Sequence, residues 1–162
     1  MNTLYYENFN FGKEEYILAG SLKGLSFVGN SFSQLEDFFP NTNFIKNNES
    51  MENYWSQIHE YLLGKRQEFT LKLDISGTKF QESVWEQLKK IPYGQTSNYT
   101  KVAQAIGNPK AVRAVGSAVG RNPVLIVVPC HRVITKSRQL GNYRGGLAMK
   151  RELLTLEGAI VQ

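Results

Sequence analysis

The stretch Tyr99-Thr100-Lys101-Val102-Ala103-Gln104-Ala105-Ile106-Gly107-Asn108-Pro109-Lys110-Ala111-Val112-Arg113-Ala114-Val115-Gly116-Ser117-Ala118-Val119 decides the fold of the second half of this chain. Tyr99–Ile106 reads as a short helix closed by Gly107. Asn108-Pro109 then opens the next, asparagine at the N-cap and proline at the first helical position, running to about Val119. Two short helices joined by Gly-Asn-Pro form a helix-turn-helix pattern. The second helix is nearly bare: Ala111, Ala114, Gly116, Ser117, Ala118 and Gly120 leave Lys110 and Arg113 as its long side chains. Small residues also serve close helix packing. A major-groove reader, however, projects several long polar side chains onto base edges. This helix has few, so it fits a minor-groove approach with little sequence readout.

Outward from that pair the signals stay helical. Thr78-Lys79-Phe80-Gln81 is a capping box, threonine at the N-cap and glutamine at N3. The helix it opens runs to about Ile91, with Phe80, Val84, Leu88 and Ile91 on one apolar stripe, and Ile91-Pro92-Tyr93-Gly94 stops it. Leu147–Leu156 reads as the final helix, ended by Gly158.

Between these helices, Val124-Leu125-Ile126-Val127-Val128 is an unbroken apolar run that predicts a short buried strand, ended by Pro129 with Cys130 at its mouth. Cys130 is the only cysteine, so it forms no intrachain disulfide, and it has too few partners for a zinc site. It is either an inert buried thiol, the commoner case, or a nucleophile. Polar neighbours favour the nucleophile: His131, Arg132 and, upstream, Arg121-Asn122. A cation or imidazole near sulfur lowers the thiol pKa from about 8.5 and raises the thiolate fraction.

Composition is that of a globular chain, 41% hydrophobic and 20% charged, long enough at 162 residues for one good core or two small ones. The longest apolar run falls far short of the roughly 20 residues that span a bilayer, and no basic segment followed by an apolar one marks the N-terminus as a signal peptide. One unpaired cysteine without an export signal predicts a cytoplasmic protein. The charge is divided unevenly: residues 1–78 carry 6 Lys/Arg against 10 Asp/Glu, and residues 79–162 carry 13 against 4. A basic second half beside a candidate nucleophile makes nucleic acid the leading partner class.

The first half, residues 1–77, reads as a small α+β domain. Tyr5–Phe11, Glu15–Gly20 and Leu25–Val28 predict an antiparallel meander, and Ser33–Phe39 and Ser50–Leu63 predict helices. Asn41–Asn48 is expected to be a loop and Phe69–Ile75, which alternates apolar and polar residues, a half-exposed strand. His59 lies mid-helix among polar residues and is expected at the surface.

Tyr99, Gly107–Gly116, Arg121-Asn122-Pro123, Pro129-Cys130-His131-Arg132-Val133-Ile134, Gly141-Asn142-Tyr143-Arg144-Gly145-Gly146 and Leu156-Glu157-Gly158 together resemble the O6-alkylguanine-DNA alkyltransferases. The match spans roughly residues 78–160, in order and at compatible spacing. The resemblance implies an α+β chain: a ribonuclease H-like N-terminal domain over 1–77, then a mainly helical, winged-helix-like DNA-binding and catalytic domain over 78–162. It also implies irreversible transfer of an alkyl group from guanine O6 to Cys130, without cofactor or metal. Some members bind zinc in the N-terminal domain or an appended one, and this chain lacks the cysteines to do so.

By the same resemblance, His131 would be the base that activates Cys130 through a bridging water, and Glu157 would orient the imidazole, the third-group role of other triads. Tyr99 would donate to the base ring as the alkyl group leaves. Asn122, Val133 and Tyr143 would line the guanine pocket, with the backbone around Tyr143–Gly146, including Gly145, donating to O6. Arg144 stands where a serine is common in relatives and is a binding residue of unassigned target; Leu125 stands where proline is common. Lys150 matches a family lysine near the site, although an exposed helix cation is an equal reading. The partner implied is double-stranded DNA carrying O6-alkylguanine, with O4-alkylthymine as a second candidate lesion, bound through the minor groove by a monomer. Lys110, Arg113, Ala114, Ser117 and Arg121 would form the DNA face, and Arg113 would fill the stack vacated by the flipped base.

Other readings account for less. A thiol protease uses a histidine distant in sequence from its cysteine, a lesion-marking relative lacks the cysteine, and a plain helix-turn-helix regulator leaves Pro129–Arg132 unexplained.

Overall fold

The structure, a computed structural model, describes residues 2–159. The chain forms two compact units, Met1–Ile75 and Ser76–Gln162.

The first unit is built on a four-stranded sheet of order β3-β2-β1-β4. The meander is β1 (Asn2–Phe11), β2 (Glu14–Ser21) and β3 (Gly24–Gly29), paired antiparallel. Five consecutive residues of β2, Tyr16–Gly20, are buried, the pattern of a strand covered on both faces. Ile17 and Ala19 pack with Phe27 and with Leu35 of α1 (Phe32–Phe38). On the alternate parity Tyr16 meets Trp55 of α2 (Asn48–Leu62), ring centroids 5.7 Å apart.

Three expectations for this unit are corrected. The segment expected to be a loop contains β4 (Thr42–Lys46), parallel to β1, with Leu4 opposite Phe44. Asn43 is tolerated in it because an edge strand needs only one buried row, here including Phe44 against the aromatic cluster. Phe69–Ile75 is not a strand: it meets the sheet at a single parallel bridge, Leu25 to Leu73, where Leu25 N–H donates to Lys72 and Asp74 N–H donates to Leu25. His59 is half-buried rather than at the surface, stacked on Trp55 at 5.4 Å with the edge of Phe11 at 5.7 Å.

The second unit opens with α3 (Lys79–Leu88), where both halves of the Thr78–Gln81 capping box form. Val84, Trp85 and Leu88 are buried, and the Trp85 indole donates to the Ala118 carbonyl at 2.9 Å. That bond fixes α3 against α5 (Val112–Gly120), whose Val115, Ala118 and Val119 are buried. Between them lies α4 (Tyr99–Ala105). Helix α5 starts three residues later than expected. Asn108–Ala111 forms a turn closed by Ala111 N–H to the Asn108 carbonyl, and no side chain caps the helix. The chain then passes the Cys130 segment and ends in α6 (Leu147–Leu156), followed by Gly158 at φ +75°.

The largest correction falls at the expected strand Val124–Val128. The residues are buried, Val127 excepted, but they form a tight turn: Val127 N–H donates to Leu125 and Val128 N–H to Val124. Ile126 sits at φ +73°, a conformation costly for a β-branched residue. Burial of five apolar residues is compatible with either shape; the turn prevails because Asn122, also buried, supplies hydrogen-bond partners that a strand would take from a neighbour.

Candidate active site

Three segments of the second unit meet at Cys130. The first is the Val124–Val128 turn. Asn122 pins it with both ends of its amide, Nδ2 donating to the Val128 carbonyl at 2.8 Å and Oδ1 accepting from Val124 N–H at 3.0 Å. The turn delivers Cys130 to the start of a 3-10 turn, Cys130–Arg132, where its N–H donates to Val128 at 2.8 Å. The second segment is the short parallel pair β5 (Ser97–Asn98) and β6 (Val133–Ile134). It ties the residue just before Tyr99 to the strand just after Arg132, so the phenol and the thiol are brought together by backbone pairing. The third is α6, which carries Lys150 and is capped by Glu157.

Behind the thiol lies a buried charge network. His131 is wholly buried, and its Nε2 lies 2.7 Å from a Glu157 carboxylate oxygen. Arg132 donates to both Glu157 oxygens, Nε at 2.9 Å and Nη2 at 3.0 Å, and Nη1 donates to the Ile91 carbonyl at 2.7 Å. Gly94 N–H adds a fourth donor to Glu157 at 3.0 Å, and the Tyr93 ring lies 5.7 Å from the Arg132 guanidinium. A carboxylate held by this arginine fork only accepts, so Nε2 carries the imidazole hydrogen and proton uptake falls to Nδ1. Burial pushes the His131 pKa below its usual range; Glu157 pulls it back, and Arg132 and Lys150 add to the lowering. The ring is neutral at neutral pH and fit to act as a base.

On the other side Cys130 opens onto a cavity of about 580 Å³, a volume that suits a small organic ligand. Helix α5 lines it through Val112, Gly116, Val119 and Gly120, and Tyr99, Thr135 and the Gly141–Arg144 loop line the rest. The thiol is 3% exposed. Burial pushes its pKa up, while the Asn122 hydrogen bond and the charges of Arg144 and Lys150 pull it down. Tyr99 is pushed up by burial and by Cys130, against a backbone hydrogen bond with Asn142.

Lys150 is fully buried, not an exposed helix cation. Its Nζ donates to the carbonyls of Val133 (2.7 Å), Asn142 (3.0 Å) and Leu140. Burial lowers its pKa to about 8. Arg144 folds inward: Nε and Nη2 donate to the Asn122 carbonyl at 3.3 and 3.0 Å, and Nη2 to Pro123 at 3.1 Å. Burial lowers it to about 10, against the opposing pull of Cys130.

The structure thus gathers Cys130, His131, Glu157, Tyr99, Tyr143 and Arg144. Asn122, Val133 and Gly145 do not line the cavity. Val133 is fully buried in β6 and offers its carbonyl to Lys150, Asn122 braces the turn, and Gly145 lets the loop approach closely. A Cβ on Gly145 would lie 2.6 Å from Met149 Sδ and 2.9 Å from the Tyr143 ring. Lys110, Arg113, Ala114, Ser117 and Arg121 are all exposed, with the α5 members on the side of the helix away from its core residues Val115 and Ala118. Among the described residues no helix is long and apolar enough to cross a membrane. Nor does any group of three or more His, Cys, Asp or Glu side chains among them form a candidate metal site.

Residues 79–159 match the 6-O-methylguanine DNA methyltransferase DNA-binding domain, and residues 4–75 match the ribonuclease-like domain of the same family. The chain belongs to the 6-O-methylguanine DNA methyltransferase family. Among its relatives is the inducible methylated-DNA–protein-cysteine methyltransferase of Bacillus subtilis, 46% identical over 96% of this chain and 90% of that protein. The O6-methylguanine methyltransferase of Mycobacterium tuberculosis superposes with a TM-score of 0.84 at 36% identity, covering 96% of this chain and 93% of that one. The same organism's OGT in complex with DNA gives 0.84 at 37% identity, covering 96% and 92%. The fold is accordingly a ribonuclease-like sheet domain followed by the family's helical DNA-binding domain.

Sequence reasoning missed the part played by Arg132. In the sequence it is a neighbour of the thiol; in the fold it clamps Glu157 at the rear of the site. The available signal was an acid expected next to His131 with a long cation in the adjacent position.

Proposed function

We propose that this methyltransferase-family chain is a single-turnover DNA-repair protein that takes the alkyl group of an O6-alkylguanine onto Cys130. The observation that carries this is the single cysteine on a cavity wall shared with the bare helix α5, with a neutral, Glu157-braced imidazole as its chain neighbour. His131 Nδ1 takes the thiol proton through a bridging water. The sulfur lone pair forms the S–C bond as the C–O6 bond breaks, its electrons pass to guanine, and the base recovers the proton on a ring nitrogen, with Tyr99 donating to the ring. The thioether is stable, so each molecule acts once.

The lesion lies inside a duplex and has to be rotated out, at a cost of a few kcal/mol. Helix α5 enters the minor groove with its small exposed residues, Lys110 and Arg121 meet phosphates, and Arg113 fills the vacated stack. The cavity is built wholly from the second unit, which supports action as a monomer, and the free thiol suits a reducing cytoplasm. O4-alkylthymine is a second lesion for the same cavity.

The test is a duplex with one O6-methylguanine, digested to nucleosides after incubation. Wild type should convert the lesion to guanine, and Cys130→Ser should bind the duplex and leave it methylated. Demethylation by Cys130→Ser contradicts the reading.

A further inference from the structure

Among the described residues that line the cavity with Cys130, Arg144 is the cation. It sits on the loop between Gly141 and Gly146, both at positive φ, and its guanidinium is turned into the protein. There it spans the site, bonding the carbonyls of Asn122 and Pro123. Those residues begin the turn that ends at the nucleophile, and the Asn122 side chain pins that turn. An arginine held in this way stays charged and keeps one orientation, because its planar fork is matched by fixed acceptors.

We propose that Arg144 is a positioning residue for the transfer: hung on the Asn122 and Pro123 carbonyls, it fixes a positive charge on the Cys130 side of the cavity, favouring the thiolate before transfer and the O6 anion as the alkyl–oxygen bond breaks. The O6 half of this rests on the alkyl-transfer reading; the thiolate half does not. A preorganised charge in a water-poor pocket counts for more than the same charge in water. The other ionisable groups around Cys130 are His131 on the same turn, Tyr99 on α4, Lys150 on α6 and Tyr143 beside Arg144. Glu157 and Arg132 stand behind His131, and Arg121 is the like charge nearest Arg144 in effect. Lys150 acts on the sulfur in the same direction.

Because Cys130 is the only cysteine, the pH dependence of its alkylation by iodoacetamide reads the thiolate directly. Arg144→Gln, which removes the charge at similar length, should move the midpoint up by about one pH unit, about tenfold in rate at neutral pH. Arg144→Lys, which keeps the charge and loses the fork, should restore part of that. If Arg144→Gln melts early, Arg144→Met repeats the comparison at a temperature where it is folded. A midpoint that moves by less than about 0.2 pH unit, or equally in the glutamine and lysine variants, overturns the proposal. With methylated duplex, Arg144→Gln should slow the limiting transfer rate at saturating DNA at least as much as it slows thiol alkylation. A loss confined to half-saturation overturns the O6 role. Failure of wild type to accept a methyl group would defeat the transfer reading and leave the thiol measurement to decide Arg144.

Discussion

Replacing Glu157 by glutamine removes one charge from a network in which four donors converge on one carboxylate. Glutamine keeps the shape and can accept from some of them, but Arg132 is left buried without a counter-ion. Uncompensated buried charges of this kind cost about 3–5 kcal/mol, against a total stability of roughly 5–15 kcal/mol for a domain. At about 4–8 °C per kcal/mol for a domain of this size, the second unit should melt at least about 12 °C below wild type. Trp85 reports on that unit once Trp55 has been changed to Phe, so the melt can be followed by fluorescence. Catalysis suffers separately, because a glutamine can present either its oxygen or its amide to His131 Nε2 and no longer fixes the tautomer. At a temperature where the variant is folded, methyl transfer should fall by about 10²–10⁴-fold. Adding Arg132→Met should recover part of the stability and little of the transfer rate, since it removes the orphaned charge and leaves the imidazole unbraced. A Glu157→Gln protein that melts within about 3 °C of wild type and transfers methyl at a similar rate would refute this account of the network.

Two further outcomes follow from the DNA face and one from His131. Arg113→Ala should slow repair of duplex DNA while sparing transfer from free O6-benzylguanine, if the cavity admits that base, because a free base needs no flipping; equal losses on both substrates would place the arginine in the fold or the pocket. Binding should weaken linearly in log K against log salt, and Lys110→Ala should reduce that slope by about one phosphate contact; a slope unchanged by the substitution removes Lys110 from the interface. His131 is buried neutral with a lowered pKa, so the unfolded chain binds the proton more readily than the folded one. Its contribution to stability is present above pH 6.5 and is lost as pH falls through the lower folded value; transfer should decline over the same acid range, and a rate that instead rises below pH 6.5 would rule out His131 as the base.

Much of this was legible where local chemistry and tertiary structure agree. The Thr78 capping box forms as read because all its partners lie within one turn. The meander is set by turns at Gly12-Lys13 and Leu22-Lys23 and by aromatic and β-branched runs on either side. Strand β4 was hidden because an edge strand that contains Asn43 and is flanked by Asn41 and Asn47 has the composition of a loop, and its partner β1 lies some forty residues away. The Val124–Val128 turn was hidden for a different reason. Apolar content reports burial, not shape, and the shape depends on the Asn122 amide and on Ile126 adopting a costly conformation. In the site, the adjacency of Cys130 and His131 was plain in the sequence. Burial of Lys150 was not: an α6 lysine looks like a surface cation until three backbone carbonyls are seen around its amine.

The account stands or falls on where the alkyl group ends up. Incubating the full-length protein with excess duplex containing O6-methylguanine and measuring the intact mass, then the Cys130 peptide, answers this directly. The account predicts one methyl group per protein molecule, on Cys130, with one lesion restored per methyl gained and none afterwards. Continued repair beyond one lesion per molecule, or a methyl group found on any other residue, would contradict it.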